Sequence, residues 1–218
     1  MSKNIYLFSG LGADERVFHQ LDFAGYSVHY IKWEIPLEKE SIEVYATRLL
    51  TQITTPTPIL IGLSFGGLIA VEVAKLIETK QVILIASAKT KDEIPFYYRW
   101  AGKLKLHKRL PTHLLKRKNP FSNLVFRNSS NAERELMNSI FEGTNQLFLN
   151  WAIDKVVNWE NRVQLANIQH IHGTADRIFP VRYANCHIRI KDGGHLLTLK
   201  RPDEITEILR SILRQNEA

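Results

Sequence analysis

The 218-residue sequence has a single cysteine, Cys186, which excludes an intramolecular disulfide and a multi-cysteine metal site. That lone thiol is expected to pack in the core. A secretory h-region and a membrane span are missing from the start, where Met1-Ser2-Lys3-Asn4 runs straight into the short apolar stretch 5–8. A cytoplasmic protein is the expectation that follows. Repeats and low-complexity tracts are absent too, and Thr54-Thr55-Pro56-Thr57-Pro58 reads as a turn rather than a linker. With 44% hydrophobic and 23% charged residues, the composition argues for a folded domain and against disorder. The length suits one domain with a sizeable core and room for an insertion.

Acidic residues are scarce where basic ones are dense. Residues 89–118 hold ten Lys and Arg against only Asp92 and Glu93, a local charge of +8 within a net +7, so the remainder is near neutral. Such a cluster attracts nucleic acid, an anionic membrane or an anionic substrate, and it equally describes a helical face turned to water.

The first half of the chain alternates short apolar runs at 5–8, 27–31, 58–61 and 82–86 with helical spacing at 40–53 and 66–79. Alternation of this kind predicts buried strands in a parallel sheet, with helices on both faces. Helical patches at 99–107, 131–141 and 146–157 then follow without an intervening strand. The strand pattern resumes at 168–172 and 187–191, and an amphipathic helix closes the chain from Pro202 to about Arg214. The predicted organisation is an α/β core at 1–88 and 162–218 with a helical lid inserted at 89–161. An insertion there lies over the carboxyl ends of the strands, the edge at which open α/β sheets bind ligands.

The densest chemical signal is Gly62-Leu63-Ser64-Phe65-Gly66-Gly67, a G-x-S-x-G string between a strand-like and a helix-like segment. A strand that turns sharply into a helix strains the serine backbone, and glycines two residues either side relieve the crowding. Ser64 is therefore the candidate nucleophile, at a helix N-terminus that favours a nearby anion. A serine needs a base and an orienting acid. Asp176 and His195 follow the two later strands, in the order serine, acid, histidine. In these roles His195 accepts the Ser64 proton and Asp176 fixes the imidazole. His172 is a rival base, read instead as packing at its strand end and bonding the backbone, and Asp192 is a rival acid, read as a turn former. For an oxyanion, Phe65 and Leu11 are the candidate backbone N–H donors, Leu11 from the glycine-containing loop Ser9-Gly10-Leu11-Gly12. That loop is not a dinucleotide fingerprint, because Glu15 stands where the third glycine belongs.

On these residues the chain resembles the α/β-hydrolase superfamily, especially its small, capped, esterase- and lipase-like members, over nearly everything outside 89–161. Ser9-Gly10-Leu11-Gly12 resembles the family's His-Gly oxyanion loop with serine in place of histidine. The resemblance implies a mostly parallel sheet that begins at the family's third strand, giving about six strands. The separation of Asp176 and His195 leaves room for little more than a turn at 181–184. The implied activity is a serine hydrolase acting on a small ester or thioester, an anionic one among the candidates. Alternatives are a lyase resembling the menaquinone-pathway cyclohexadiene-carboxylate synthase, which uses the same triad, and a ligand-binding receptor on the hydrolase fold. No metal or organic cofactor is implied, and no nucleic-acid partner is expected. Lid aromatics Phe96, Tyr97, Tyr98, Trp100, Phe121, Phe126, Phe141, Phe148 and Trp151 are candidates for an apolar wall.

Overall fold

Apolar runs close to those read from the sequence form six strands in a computed structural model that describes residues 3–106, 135, 138, 139 and 143–215. They are β1 (Asn4–Phe8), β2 (Ser27–Tyr30), β3 (Ile59–Leu63), β4 (Gln81–Ile85), β5 (Ile168–Gly173) and β6 (Ile188–Ile190). The sheet order is β2-β1-β3-β4-β5-β6, and every pairing is parallel. The chain runs outward from β1 to β2 and then crosses back to β3. Between β1 and β3 the winding direction reverses, and such a point opens a crevice at the carboxyl ends of the strands.

Helices cover both faces. α1 (Ile42–Leu49) and α2 (Phe65–Ala74) pack with Tyr6, Phe8, Leu60, Val82 and Leu84 on one side. The short α5 (Leu197–Lys200) and α6 (Pro202–Gln215) pack with Ile5, Leu7, Ile61 and Ile83 on the other. Alternate strand residues feed the two cores because a strand's side chains switch faces at every step. Between β4 and β5 lie α3 (Phe96–Lys103) and α4 (Gln146–Val157), which touch each other. Asn145 caps α4, its side-chain oxygen accepting from the N–H of Leu147 at 2.8 Å.

Some expectations shift. β2 is not a buried strand: Ser27 and Tyr30 are exposed and Val28 and His29 half-buried, because β2 is the sheet edge. Cys186 is half-buried in the loop before β6 rather than in the core. α3 begins at Phe96, directly after Pro95, which cannot continue a helix backwards, and ends at Lys103. The turn at 181–184 is present, closed by Tyr183 N–H to Pro180 O at 2.9 Å and Ala184 N–H to Val181 O at 3.1 Å. Most of the patch expected at 131–141 lies outside the described residues. Among the described residues no helix is long and apolar enough to cross a membrane.

α2 is buried along its length from Phe65 to Val73, including the carboxylate of Glu72. That charge is satisfied by Trp159, whose Nε1–H donates to Oε1 at 2.8 Å, and by Lys75 at 2.5 Å from Oε2. Removing one partner of a buried polar pair leaves the other desolvated, at a cost of about 1–3 kcal/mol. Trp159→Phe is thus expected to lower unfolding free energy by that amount in denaturant titration. An unchanged midpoint would show that water replaces the indole.

Candidate active site

Leu63 ends β3 and Phe65 opens α2, so Ser64 alone makes the turn, at φ 54 and ψ −122. A non-glycine residue holds such a conformation only when its surroundings over-determine it. Here the Ser64 N–H donates to Ile85 O at 3.0 Å, while its carbonyl accepts from Gly67 N–H at 2.9 Å and from the Ser87 hydroxyl at 2.6 Å. Close approach explains the flanking glycines. A Cβ on Gly62 would lie 2.4 Å from Gly67 Cα, and one on Gly66 would lie 2.2 Å from the carbonyl oxygens of Phe8 and Ser9.

The structure brings Ser64, His195 and Asp176 into one line. The Ser64 hydroxyl lies 2.8 Å from His195 Nε2, and His195 Nδ1 lies 2.8 Å from Asp176 Oδ2. A carboxylate accepts, so Nδ1 carries the hydrogen and Nε2 is left to accept from Ser64. Loop anchoring sets this geometry: Thr174 N–H donates to Ile190 O at 2.9 Å and Ala175 N–H to Gly193 O at 2.8 Å, tying the loop after β5 to the loop after β6. Asp192 is exposed at positive φ and its N–H donates to Thr174 Oγ1, a turn position away from the line. His172 is fully buried and donates to the Phe179 carbonyl at 2.7 Å.

Asp176 is buried, and its second oxygen accepts from the N–H groups of Ile178 at 2.8 Å and Phe179 at 3.0 Å. Burial pushes the Asp176 carboxyl up, but the His195 charge and hydrogen bond, the His172 ring and the Phe179 N–H together hold it below its ordinary 3.8. A carboxyl depressed in the folded state contributes stability above its unfolded pKa and loses it as pH falls through the folded value. Stability is therefore expected to decline on acidification below about pH 3.8, and Asp176→Asn to flatten that decline in unfolding curves measured across pH. Identical slopes in both proteins would contradict the paired carboxylate.

The loop after β1 lies against Ser64: a Cβ on Gly10 would sit 3.5 Å from Ser64 Cβ. Ser9 holds this loop, its hydroxyl donating to Ala13 O at 2.7 Å and accepting from Trp33 Nε1–H at 2.9 Å. Leu11 is half-buried and packs against the aromatic core, and Phe65 is buried with its ring 5.7 Å from Trp33 and 6.0 Å from Phe148. A cavity of about 360 Å³ opens beside the loop, lined by Ser9, Gly12, Arg16, Lys32, Trp33 and Phe148 among others. Trp33 and Ser87 are single residues between elements and carry no spacing signal in the sequence.

The expected aromatic wall divides. Phe148 is core, stacked on Trp33 at 5.4 Å, and Trp151 packs on Tyr45 at 4.4 Å. Tyr98 meets Phe179 at 6.5 Å, and Phe179 meets the His195 ring at 5.9 Å. Phe96 and Trp100 are exposed, and Tyr97 lies against Tyr183 at 6.3 Å. Phe121, Phe126 and Phe141 lie outside the described residues. Of the basic run, Lys89, Lys91 and Arg99 face Glu93, Glu160 and Asp92, whereas Lys108, Arg109, Lys116, Arg117 and Lys118 lie outside the described residues.

A parallel sheet wound in this order, with a strand–serine–helix elbow at its switch point, defines an enzyme fold of the hydrolase type. The chain belongs to the alpha/beta hydrolase family, whose model matches residues 5–208. No curated protein sequence matches it significantly. Solved structures with the same fold include a thermophilic esterase from Thermogutta terrifontis, at TM-score 0.73 and 17% identity, covering 99% of this chain and 90% of that one. An epoxide hydrolase from Bacillus megaterium aligns at TM-score 0.74 and 12% identity over 98% of this chain and 94% of its own. A bromoperoxidase from Bacillus anthracis aligns at TM-score 0.67 and 17% identity, covering 98% and 92%.

Proposed function

We propose that this protein is a serine hydrolase that cleaves a small carboxylic ester or thioester through an acyl-enzyme. The reading is carried by the hydrogen-bonded line from Ser64 through His195 to Asp176, with both contacts at 2.8 Å. Ser64 Oγ attacks the acyl carbon as His195 Nε2 takes its proton, and Asp176 stabilises the imidazolium. The backbone N–H groups of Leu11 and Phe65 face the oxygen that gains charge. His195 then protonates the departing oxygen or sulfur as its bond to the acyl carbon breaks. Water, giving its proton to His195, attacks the acyl carbon, and the carboxylic acid leaves as Ser64 regains its proton.

Residues 89–161 act as a lid over this edge, with Tyr98 and Phe179 forming an apolar side of the cleft near His195. The fold shared with an esterase supports the choice of ester chemistry. A fluorophosphonate probe is expected to label the protein at Ser64, located by peptide mass spectrometry. Folded protein that stays unlabelled would overturn the assignment. Turnover across ester chain lengths and matched thioesters then defines the acyl and leaving groups. If the basic segment guides an anionic substrate, salt slows turnover of an anionic ester more than that of its neutral analogue.

A further inference from the structure

β5 carries histidines two positions apart, His170 and His172, and a strand's period of two places them on one face. Both are fully buried, with ring centroids 5.0 Å apart. His172 Nε2 lies 2.7 Å from the Phe179 carbonyl oxygen. A carbonyl only accepts, so Nε2 carries the hydrogen and Nδ1 of the neutral ring is bare. That bare nitrogen lies 3.0 Å from His170 Nε2, which therefore donates to it. One carbonyl thus sets the tautomers of both rings. Among the described residues His170 Nδ1 is buried with no side-chain hydrogen-bond partner, 3.8 Å from Glu93 Oε2.

The surroundings keep the rings neutral. Burial pushes His170 down, and His172, Lys89 and His187 oppose a proton there as well, against the pull of a backbone hydrogen bond with Ser87. Burial also pushes His172 down, against the opposing pull of Asp176. Glu93, facing His170, is itself pushed up by burial, against the pull of Lys89.

The other side of His172 is the 176–179 turn. Phe179 offers its carbonyl to His172 and its N–H to Asp176 Oδ1, so one peptide segment links the ring to the carboxylate. His172 Nε2 also stands 3.5 Å from Asp176 Oδ2, the oxygen that accepts from His195 at 2.8 Å. Two apolar side chains would fill this strand face without burying four ring nitrogens.

We infer that His172 is a positioning residue for the reaction, with His170 as the donor to its bare Nδ1: together they hold the 176–179 turn so that Asp176 presents Oδ2 to His195. The inference rests on the serine-hydrolase reading of Ser64, His195 and Asp176. Neither ring bonds Ser64, so both act through Asp176. A glutamine amide reaches about as far as a histidine Nε2 and can still donate to Phe179 O, whereas leucine cannot.

The test compares the full-length wild type with His172→Leu, His172→Gln and His170→Leu, using a p-nitrophenyl ester that the wild type turns over and the rate of fluorophosphonate labelling. Displacement of a catalytic group by about 1 Å costs up to about 100-fold in rate. Accordingly, kcat is expected to fall at least about tenfold in His172→Leu with KM little changed, to recover most of its value in His172→Gln, and to fall by a smaller factor in His170→Leu. The downfield proton resonance of the His195–Asp176 hydrogen bond should persist in His172→Gln and weaken in His172→Leu. Unchanged kcat in folded His172→Leu overturns the role, as does equal loss in the leucine and glutamine variants. Should His172→Leu fail to fold, unchanged kcat and labelling in His170→Leu overturn it instead. A wild type that shows the downfield proton yet takes no label overturns the serine-hydrolase reading itself, whereas normal labelling of His172→Leu overturns only the part given to His172.

Discussion

Ser64→Ala is expected to lower ester turnover by at least about 1,000-fold, the scale on which removing a catalytic serine acts. The loss is chemical rather than structural. The Ser64 hydroxyl bonds His195, whereas the contacts that hold the elbow use the Ser64 backbone and the Ser87 hydroxyl. Thermal unfolding of Ser64→Ala should therefore stay close to wild type. Ser64→Gly should be equally inactive but more stable, because glycine adopts φ 54 without the steric cost that a Cβ brings. Turnover in Ser64→Ala above a few per cent of wild type, from a preparation free of host esterase, would show that another group is the nucleophile.

Gly66→Ala is the substitution expected to damage the fold most. Its methyl group would lie 2.2 Å from two carbonyl oxygens, those of Phe8 and Ser9. Neither oxygen is the flexible end of a side chain. Phe8 is held in register opposite Gly62, so relief requires the end of β1 to move away from β3 or the start of α2 to lift. Overpacking that shifts backbone costs about 1–3 kcal/mol and sometimes more, and this collision falls at the upper end. A loss of at least about 3 kcal/mol in denaturant unfolding, or failure to fold, is the expected result. Gly143→Ala is the control, since among the described residues nothing lies within 4 Å of a Cβ there, and it should stay within about 0.5 kcal/mol of wild type. Equal stability of the two variants would mean that the elbow is looser than the contacts indicate. Residual activity in a folded Gly66→Ala should also be low, because moving the end of β1 moves Gly10 away from Ser64.

The hydrolase-type sheet was readable because its strands are short apolar runs and its one sharp turn is written in glycine. Ser64, Asp176 and His195 could be named as candidates from their order and their places after strands, and the structure sets them in hydrogen-bond contact. What stayed hidden depends on neighbours. That β2 is half exposed follows from its place at the sheet edge, and an edge is a property of pairing, which 27–31 does not encode locally. The pattern at 99–107 places the start of α3 three residues late, because Phe96, Tyr97 and Tyr98 do not resemble a polar first turn. His172 reads from the sequence as a strand-end residue, and its i, i+2 spacing from His170 on a predicted strand is the one local signal of their pairing. The Trp33 to Ser9 bond joins residues 24 apart and left no local trace.

The groups of the proposed triad also lie far apart along the chain: Ser64 and His195 are separated by 131 residues, and Asp176 and His195 by 19. Ser64 is delivered by β3 in the middle of the sheet, Asp176 by the loop after β5 and His195 by the loop after β6, the far edge strand. A partly folded chain in which β1, β3 and β4 have paired thus holds a finished elbow and no means of using it. On the proposed mechanism, recovery of catalysis during refolding is expected to wait for the β5–β6 edge to dock, so that the return of activity times the closing of that edge, while helical signal can return earlier.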